Sequence, residues 1–317
     1  MNPMRTWLKK LGPLIGLASV FLLFTALRWE KFPRADNLEV MLLQTTVVGT
    51  AALGMTMVIV SGGIDLSVGS VIALSTVTIA LLLNHGAPPL LAALGGVATG
   101  ALCGLFIGTL ITRLRLTPFI VTLGMWGALR GIAKGLAGEQ MVIAPDTWLN
   151  NLLRAVREGQ GWMLFPPGVW MMIVFALLVG GLLSYTRMGR HLFAIGSNEQ
   201  TAHLCGVNVA RTRILVYVLG SGFAGLAGVL QFSYLTVGDP TTAMGAELDV
   251  IAAVIIGGAS LAGGEGTIRG SLIGALIMTV VANGCTKMEF PNWVQEIVTG
   301  GIIIVAVALD RFRHRRS

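Results

Sequence analysis

Charged residues are scarce in this chain. Asp, Glu, Lys and Arg make up 12% of its 317 residues, about half the share that is typical of a soluble domain. Hydrophobic residues make up 54%, glycine occurs 42 times, and the mean hydropathy is +0.79. Glycine is also more frequent in membrane helices than in soluble ones. The composition excludes a soluble globular domain and indicates an integral membrane protein.

Cysteine and histidine are also rare. Three cysteines, Cys103, Cys205 and Cys285, are too few and too scattered for a disulfide framework. The four histidines are dispersed as well, and neither HxxxH nor CxxC spacing occurs. We therefore predict no metal site and interpret these residues as packing or surface residues.

Motifs for nucleotide hydrolysis and for catalysis are missing. The chain has no GxxxxGK[ST] loop and no Gly-Lys dipeptide, so it does not hydrolyse nucleotide by that route. No nucleophile elbow, HExxH motif or paired intramembrane carboxylates suggest an enzyme. We expect a transport protein that is not an enzyme and that holds no cofactor of its own.

The apolar segments are long and continuous, which predicts an all-α membrane protein rather than the alternating strands of a barrel. The basic N-terminus and the apolar run up to Leu27 are interpreted as a retained first helix, not as a cleaved signal peptide. We predict about ten spans, at residues 11–28, 40–60, 66–84, 89–112, 117–136, 167–186, 213–236, 248–261, 268–286 and 293–310.

The orientation follows from the basic residues in short loops. If the N-terminus is cytoplasmic, the inner segments hold 14 of the 22 basic residues, and the outer loops hold ten of the 15 acidic ones. The net charge of +7 is therefore an orientation signal and not a nucleic-acid footprint. We predict one domain over residues 1–317, with both termini cytoplasmic and no nucleic-acid partner.

Ionisable residues are nearly absent from the spans, although ion-driven carriers usually place some there. Arg130 and Lys134, near the outer end of the fifth span, are interpreted as interfacial, and so is Glu296 near the outer start of the tenth. The energy for transport must then come from elsewhere or is not needed. This leaves a passive channel or a pore subunit that a partner drives.

The longest outer connection, residues 137–166, contains the stretch WLNNLLRAVREG at 148–159. Its apolar positions predict an amphipathic helix, and they are Trp148, Leu149, Leu152, Leu153 and Val156. Such a helix would lie on the lipid surface of the membrane or form part of a docking face.

The inner segment at about 187–213, RMGRHLFAIGSNEQTAHLCGVNVARTR, carries the signals of a short helix. Asn198 is placed to cap that helix, Glu199 supplies an acidic residue in its first turn, and Gly206 ends it. The segment is either a well-capped connecting loop or a small surface on which a cytoplasmic motor docks.

Three blocks of sequence carry a resemblance to a known family. They are LGMTMVIVSGGIDLSVGS at 53–70, GSNEQTAHLCGV at 196–207 and ELDVIAAVIIGGASLAGGEGTIRGSLIGALI at 247–277. In this order and spacing they resemble the ribose-type sugar permease family, the transmembrane subunits of bacterial ABC importers. The similarity covers nearly the whole chain.

The resemblance implies a pore-forming permease of the bacterial inner membrane that translocates a monosaccharide or a similar polyhydroxylated solute. It implies a second permease subunit, identical or related, and a periplasmic sugar-binding protein that delivers the solute. It also implies a cytoplasmic ATPase with two fused nucleotide-binding domains, which would hold the ATP and Mg. The residues that would couple to this ATPase are Gly196, Asn198, Glu199, Ala202 and Gly206. The helix has the sequence Glu-Gln-Thr-Ala where the family pattern has Glu-Ala-Ala. This departure concerns the detailed contacts with the ATPase and not the coupling role of the helix.

The glycines have two interpretations, close helix packing and hinge-like movement at an inner gate. Packing is the interpretation for the ridge on the fourth span, formed by Gly95, Gly96, Gly100, Gly104 and Gly108. The stretches SGGIDLSVGS and GGASLAGGEGTIRG resemble each other as interrupted helices of two halves. The gate or hinge candidates are Gly62, Gly63, Asp65, Ser67, Gly69, Gly257, Gly258, Gly263, Gly264 and Gly266.

Asp65 is expected near the cytoplasmic boundary, where its carboxylate would cap the start of the third span. The alternative is a part in the inner gate.

A path for a neutral sugar needs hydroxyls, amides and aromatic rings. The candidate lining residues are Gln44, Thr45, Thr46, Thr117, Thr122, Gln231, Tyr234 and Asn283, and for each of them an interhelical hydrogen bond is the alternative.

Other readings of function remain open at this point. The same scaffold would serve a polyol, a furanose, a nucleoside, a signalling sugar or, less in keeping with GGIDLSVGS, a branched-chain amino acid. The alternative from another class is a partner-independent secondary carrier or channel for small polar solutes.

Overall fold

The computed structural model describes residues 3–154 and 164–314, and helices dominate this part of the chain. The α-helices are α1 Pro3–Leu27, α2 Ala35–Val60, α3 Val68–Asn84, α4 Pro89–Arg113, α5 Pro118–Leu136, α6 Pro167–Tyr185, α7 Arg187–Ser197, α8 Glu199–Leu204, α9 Val209–Leu235, α10 Ala246–Ile256, α11 Ile268–Lys287 and α12 Asn292–His314. A 3-10 helix occupies Trp148–Asn151, and two short strands are β1 Val142–Ile143 and β2 Val237–Gly238.

Each of the ten predicted spans coincides with a helix, namely α1 to α6 and α9 to α12. Five of these helices are long and apolar enough to cross a membrane: α2, α4, α6, α9 and α11. The chain is therefore an all-α, multi-pass membrane protein. The predicted eighth span is shorter than expected, because α10 ends at Ile256 and the glycine-rich residues after it form turns.

Local signals set several of the helix starts. Proline occupies the first position of α4, α5 and α6, where its fixed φ suits a helix and its missing N–H costs nothing. The Asn208 side chain caps α9 by accepting from the Arg211 N–H at 3.0 Å. Thr267 caps α11 in the same way by accepting from the Gly270 N–H at 3.1 Å.

Helix α9 lies at the centre of the fold, packed against α2, α3 and α4. Its closest contact is with the glycine ridge of α4. A Cβ added at Gly100 would meet the Ser221 carbonyl oxygen, and one added at Gly104 would meet the Tyr217 carbonyl oxygen. The packing interpretation of this ridge is confirmed, because the two helix backbones approach too closely for any side chain between them.

The remaining glycines of the ridge behave in the same way. A Cβ at Gly108 would meet the backbone of Ile214 in α9, whereas Gly95 and Gly96 face Leu82 and Ile79 of α3.

The predicted amphipathic helix at 148–159 is wrong in its described part, where only the 3-10 turn Trp148–Asn151 forms. The Leu152 N–H bonds to the Leu149 carbonyl, and the Leu153 N–H donates to Ser233 Oγ at 2.9 Å. The N–H groups of Leu152 and Leu153 are therefore not used for the hydrogen bonds that an α-helix would make. Residues 155–159 lie outside the described residues. Ahead of the turn, β1 pairs antiparallel with β2, which joins the α5–α6 connection to the α9–α10 connection.

The α4–α9 contact predicts a position-specific effect of a single methyl group. Gly104→Ala should lower the free energy of unfolding by about 1–3 kcal/mol, because its Cβ overpacks against the Tyr217 carbonyl. The measurement is thermal unfolding of the purified protein in detergent. The matched control is Gly180→Ala in α6, whose Cβ would meet nothing within 4 Å. Equal melting temperatures for the two variants would contradict the contact.

Candidate coupling site and interrupted helices

The short helix α8 is built as the sequence predicts. Asn198 Oδ1 accepts from the Thr201 N–H at 2.8 Å, and Gly206 follows the helix end with φ of +82°, a conformation that favours glycine. Ala202 is the buried residue of α8, and the Glu199 carboxylate pairs with Arg213 of α9 at 2.8 Å. The helix is therefore capped at both ends and held against the start of α9.

Helix α7 precedes α8 and was not predicted. The Thr186 hydroxyl caps it by accepting from the Gly189 N–H at 3.2 Å, and Leu192 and Ile195 are buried on its inner face. A threonine ahead of apolar residues at a spacing of three was the signal that could have revealed it. The α7–α8 pair therefore forms an elbow between α6 and α9, with a side-chain cap at the start of each helix.

The outward face of α8 is open. A groove of about 720 Å³ runs along it, lined by Asn198, Glu199, Gln200, His203, Leu204 and Val209. Leu204 is 85% exposed, although it is an apolar residue at a helix end. Both features suit a surface that another protein covers.

The two glycine-rich stretches that interrupt the helices, residues 61–70 (the first break) and 257–270 (the second break), meet the end of α7 through backbone contacts. The Gly264 N–H donates to the Val60 carbonyl oxygen at 2.9 Å, and a Cβ at Gly196 would meet both of these groups. Gly263, with φ of +88°, lies against Gly62 and Gly196. We call these five residues the glycine junction. It brings gate candidates from both breaks together with Gly196 of the coupling segment, although they are far apart in sequence.

The other glycines of the second break have separate roles. Gly257 and Gly270 are in backbone contact where α10 crosses α11, and Gly266 packs against the Val60 side chain. Gly258 has φ of +96° and no close neighbour at its Cβ position, so it serves a turn. Hinge movement at these glycines stays a prediction.

Asp65 organises the turn before α3 rather than capping the helix itself. The backbone N–H of Ser67 donates to Asp65 Oδ1 at 2.8 Å, and the Ser67 hydroxyl donates to the same oxygen at 2.6 Å. Ser67 occupies the N-cap position and makes no side-chain capping bond. The predicted cap is therefore corrected to a side-chain turn that ends where α3 begins.

Asp65 also lies deep among the helices, and its expected place near the cytoplasmic boundary stays a prediction. Asp65 is 1% exposed, and the Ser221 hydroxyl, close to the midpoint of α9, donates to its Oδ2 at 3.3 Å. The Tyr217 hydroxyl donates to the Ile64 carbonyl at 3.1 Å. After α2 ends, the chain turns back between the helices, and Gly63 leaves room for the Tyr217 hydroxyl. Helix α3 therefore starts inside the helical body.

The loop between α9 and α10, residues 236–245, runs along α3. The Asp239 N–H donates to Thr76 Oγ1 at 3.2 Å, and Gly69 in the first turn of α3 lies against Ala243 and Glu247. Because Glu247 is in the first turn of α10, α3 and α10 begin side by side. The predicted interruption at 61–70 thus meets the loop before α10, which was not predicted as an interruption.

Two buried charged side chains, Arg130 and Glu247, lie at this meeting point. Arg130 is 6% exposed and not interfacial, since its Nη1 donates to the carbonyls of Pro240 at 3.0 Å and Thr242 at 2.6 Å. Glu247 is 7% exposed and accepts from Trp126 Nε1 at 3.0 Å. We call Trp126, Arg130 and Glu247 the α5–α10 cluster. The spacing of Trp126 and Arg130, four residues apart on one helix, was the available signal.

The candidate lining residues do not gather at one place. The hydroxyls of Thr45, Thr46 and Thr122 donate to carbonyls of their own helices, and Asn283 accepts from Asn37 at 2.9 Å. Gln231 reaches the loop between α9 and α10 by donating to Thr242 Oγ1 at 2.8 Å. Of the remaining three, Gln44 is partly buried, Thr117 is exposed at the start of α5, and Tyr234 lines a groove. A path along these residues stays a prediction.

Comparison with known proteins identifies the family. Residues 37–307 match the family described as "Branched-chain amino acid transport system / permease component". The chain belongs to this permease family. No solved structure matches it significantly.

The matched relatives are permease subunits of sugar importers. The chain is 36% identical over 312 residues to the ribose import permease protein of Escherichia coli (strain K12), with 96% of this chain and 95% of the relative covered. It is 36% identical over 305 residues to the fructose import permease protein of Rhizobium meliloti, with 95% and 84% covered. It is 35% identical over 303 residues to the D-allose transport system permease protein of Escherichia coli (strain K12), with 95% and 91% covered. The chain is thus a permease subunit of an ABC importer.

The turn around Asp65 predicts how this permease tolerates substitution there. Asp65→Leu should lower the free energy of unfolding by about 1–3 kcal/mol, because the Ser67 and Ser221 donors lose their acceptor inside the protein. Asp65→Asn keeps an acceptor oxygen for Ser67 and should melt close to the wild type. Thermal unfolding in detergent measures both. The turn is misassigned if the leucine and asparagine variants melt at the same temperature.

Proposed function

We propose that this chain is the pore-forming permease of an ATP-driven importer for a monosaccharide or a similar small polyhydroxylated solute. In this proposal about ten helices cross the bacterial inner membrane, both termini are cytoplasmic, and α8 faces the cytoplasm. The distribution of basic residues supports this orientation, since Arg187, Arg190, Arg211 and Arg213 flank the coupling segment.

The observation that carries the proposal is the glycine junction. A force applied to α8 reaches Gly196 through the α7–α8 elbow, and Gly196 touches both glycine-rich breaks without an intervening side chain. A backbone contact of this kind transmits displacement directly, since no flexible side chain can absorb it. The arrangement therefore suits a pore whose interrupted helices are moved from outside.

The partners of this proposal come from the family resemblance, and two surfaces of the chain would suit them. A cytoplasmic ATPase with two fused nucleotide-binding domains would cover the groove of α8 and the exposed Leu204, and would hold the ATP and Mg. A second permease subunit, identical or related, would complete the pore. A periplasmic binding protein would deliver the solute to the outer face, where a groove of about 560 Å³ lies beside Tyr234.

The substrate class is proposed from the relatives. Their names specify ribose, fructose, L-arabinose and D-allose, all of them small polyhydroxylated solutes. The description of the broader family leaves a branched-chain amino acid as the competing substrate. Purifying the importer with its binding protein, and measuring which solute that protein binds, distinguishes the two classes.

A partner-independent carrier is the second candidate, and the buried carboxylates of Asp65 and Glu247 are the observation that favours it. Uptake into proteoliposomes that contain this chain without the ATPase would support the carrier. Uptake that requires both the ATPase and ATP would support the importer.

Gly206 offers a test of docking at α8. A Cβ there would meet nothing within 4 Å, so Gly206→Trp should leave the membrane fold intact while its indole obstructs the ATPase. Uptake and co-purification with the ATPase should both be lost. Gly206→Ala carries the same backbone strain at φ of +82° without the bulk, and should retain both. Normal uptake and co-purification in the tryptophan variant would refute docking at this surface.

Gly196 offers a separate test of transmission. Gly196→Ala should strain the junction by about 1–3 kcal/mol, because its Cβ enters the space of the Val60 carbonyl and the Gly264 N–H. Uptake should fall while the ATPase still co-purifies, since the outer face of α8 is unchanged. The comparison is Gly180→Ala, which should affect neither measurement. Unchanged uptake in Gly196→Ala would count against transmission through the junction.

A further inference from the structure

The α5–α10 cluster contains buried polar atoms that its own fold leaves unsatisfied. Nε and Nη2 of Arg130 and Oε2 of Glu247 make no well-formed hydrogen bond to any described residue. Buried charged groups are normally hydrogen-bonded or paired. Arg130 and Glu247 attract each other electrostatically, yet among the described residues they do not approach closely enough for a salt bridge. The cluster thus offers both free donors and a free acceptor.

The mixture of donors and an acceptor restricts the ligand. Arg130 interacts with the carboxylates of Glu247 and Asp239, so a simple cation or a simple anion would meet one repulsive charge or more beside each attractive one. A hydroxyl group donates and accepts at once. Two neighbouring hydroxyls of a neutral polyol would satisfy the guanidinium and the carboxylate together.

An aromatic ring stands at the edge of the cluster. Trp126 is 36% exposed while its indole N–H bonds to Glu247. Gly127 and Gly131 are exposed on α5 beside it, and nothing lies within 4 Å of their Cβ positions. The indole therefore has room on an open helix face. Its apolar surface suits the C–H face of a sugar, and its N–H keeps the carboxylate in place.

The segment that covers the cluster is held under backbone strain. Ala243 has φ of +55°, a left-handed conformation that is unfavourable for a non-glycine residue. Arg130 fixes this segment through the carbonyls of Pro240 and Thr242, and Met244 at its tip is exposed. A ligand that competes for Arg130 would release the segment.

We propose that Arg130 and Glu247 form an occluded binding site for two hydroxyls of the transported polyol, with Trp126 as its stacking face. This site rests on the permease function proposed above and assigns the contact at which the solute is recognised inside the membrane. Segment 239–245 moves to admit the solute. The competing ligand is a zwitterionic amino acid, whose ammonium would pair with Glu247 and whose carboxylate would pair with Arg130.

The test is direct binding to the full chain in lipid nanodiscs, measured by saturation-transfer difference NMR. The probes are D-ribose, D-fructose, L-arabinose, D-allose and L-leucine. At least one sugar should give a signal with the wild type, and Glu247→Gln should weaken its affinity by about tenfold, as expected for one lost hydrogen bond to a charged group. Trp126→Phe removes only the indole donor and its larger ring, and should also weaken binding.

Glu296→Gln is the matched control, since Glu296 is exposed at the start of α12 and should bind as the wild type does. Melting temperatures of all variants show whether they are folded, and Trp126→Phe decides the matter if Glu247→Gln does not fold. The proposal is overturned if no sugar gives a signal, if the variants bind as the wild type does, or if only leucine binds.

A parallel measurement distinguishes failure of this binding site from failure of the proposed importer function. In proteoliposomes, the assembled importer should take up the sugar that binds, in an ATP-dependent manner. If uptake is present but the permease shows no binding, the site is wrong and the importer function stands. If no sugar is taken up with ATP, the importer function itself fails.

Discussion

The hydrogen bond from the Gly264 N–H to the Val60 carbonyl is the contact on which the arrangement of this permease depends. It joins the end of α2 to the second glycine-rich break at 2.9 Å, and Gly196 closes over it without a side chain. The ends of α2 and α7 and the turn between α10 and α11 are thereby held together. In the proposed mechanism such a unit would move as one body if α8 were displaced, because packed backbones deform little.

Close backbone contact at glycines, where no side chain intervenes, also forms other helix crossings of the fold. Helices in lipid gain no hydrophobic energy from mutual contact, so they associate through close packing of small residues. This accounts for the α4–α9 crossing at Gly100 and Gly104, and for the α10–α11 crossing at Gly257 and Gly270. The two uses of glycine differ in conformation. The ridge glycines of α4 are helical, whereas Gly62, Gly263 and Gly264 have positive φ and so permit turns.

The sequence was sufficient for features that are local. Spans follow from runs of apolar residues, and the cap of α8 follows from Asn198 and Gly206 within one short segment. It was insufficient where a contact joins distant residues. The bond between Trp126 and Glu247, and the one between Ser221 and Asp65, join residues far apart in the chain, and no spacing rule predicts such a pair. Asp65 illustrates the difference. Its turn with Ser67 is local and could be predicted in part, whereas its burial depends on the position of α9.

The two buried carboxylates, Asp65 just before α3 and Glu247 in the first turn of α10, differ in how fully they are hydrogen-bonded. Each benefits from the positive end of a helix dipole, and together they ease the close approach of two helix starts. Both Asp65 oxygens accept hydrogen bonds from Ser67 or Ser221, which leaves Asp65 little capacity for a ligand. Glu247 uses one oxygen for Trp126 and leaves the other without a partner. A satisfied buried charge stabilises a fold, whereas a half-satisfied one costs stability. That cost would be offset if a solute completed the bonds, and for this reason the proposed binding site includes Glu247 and not Asp65.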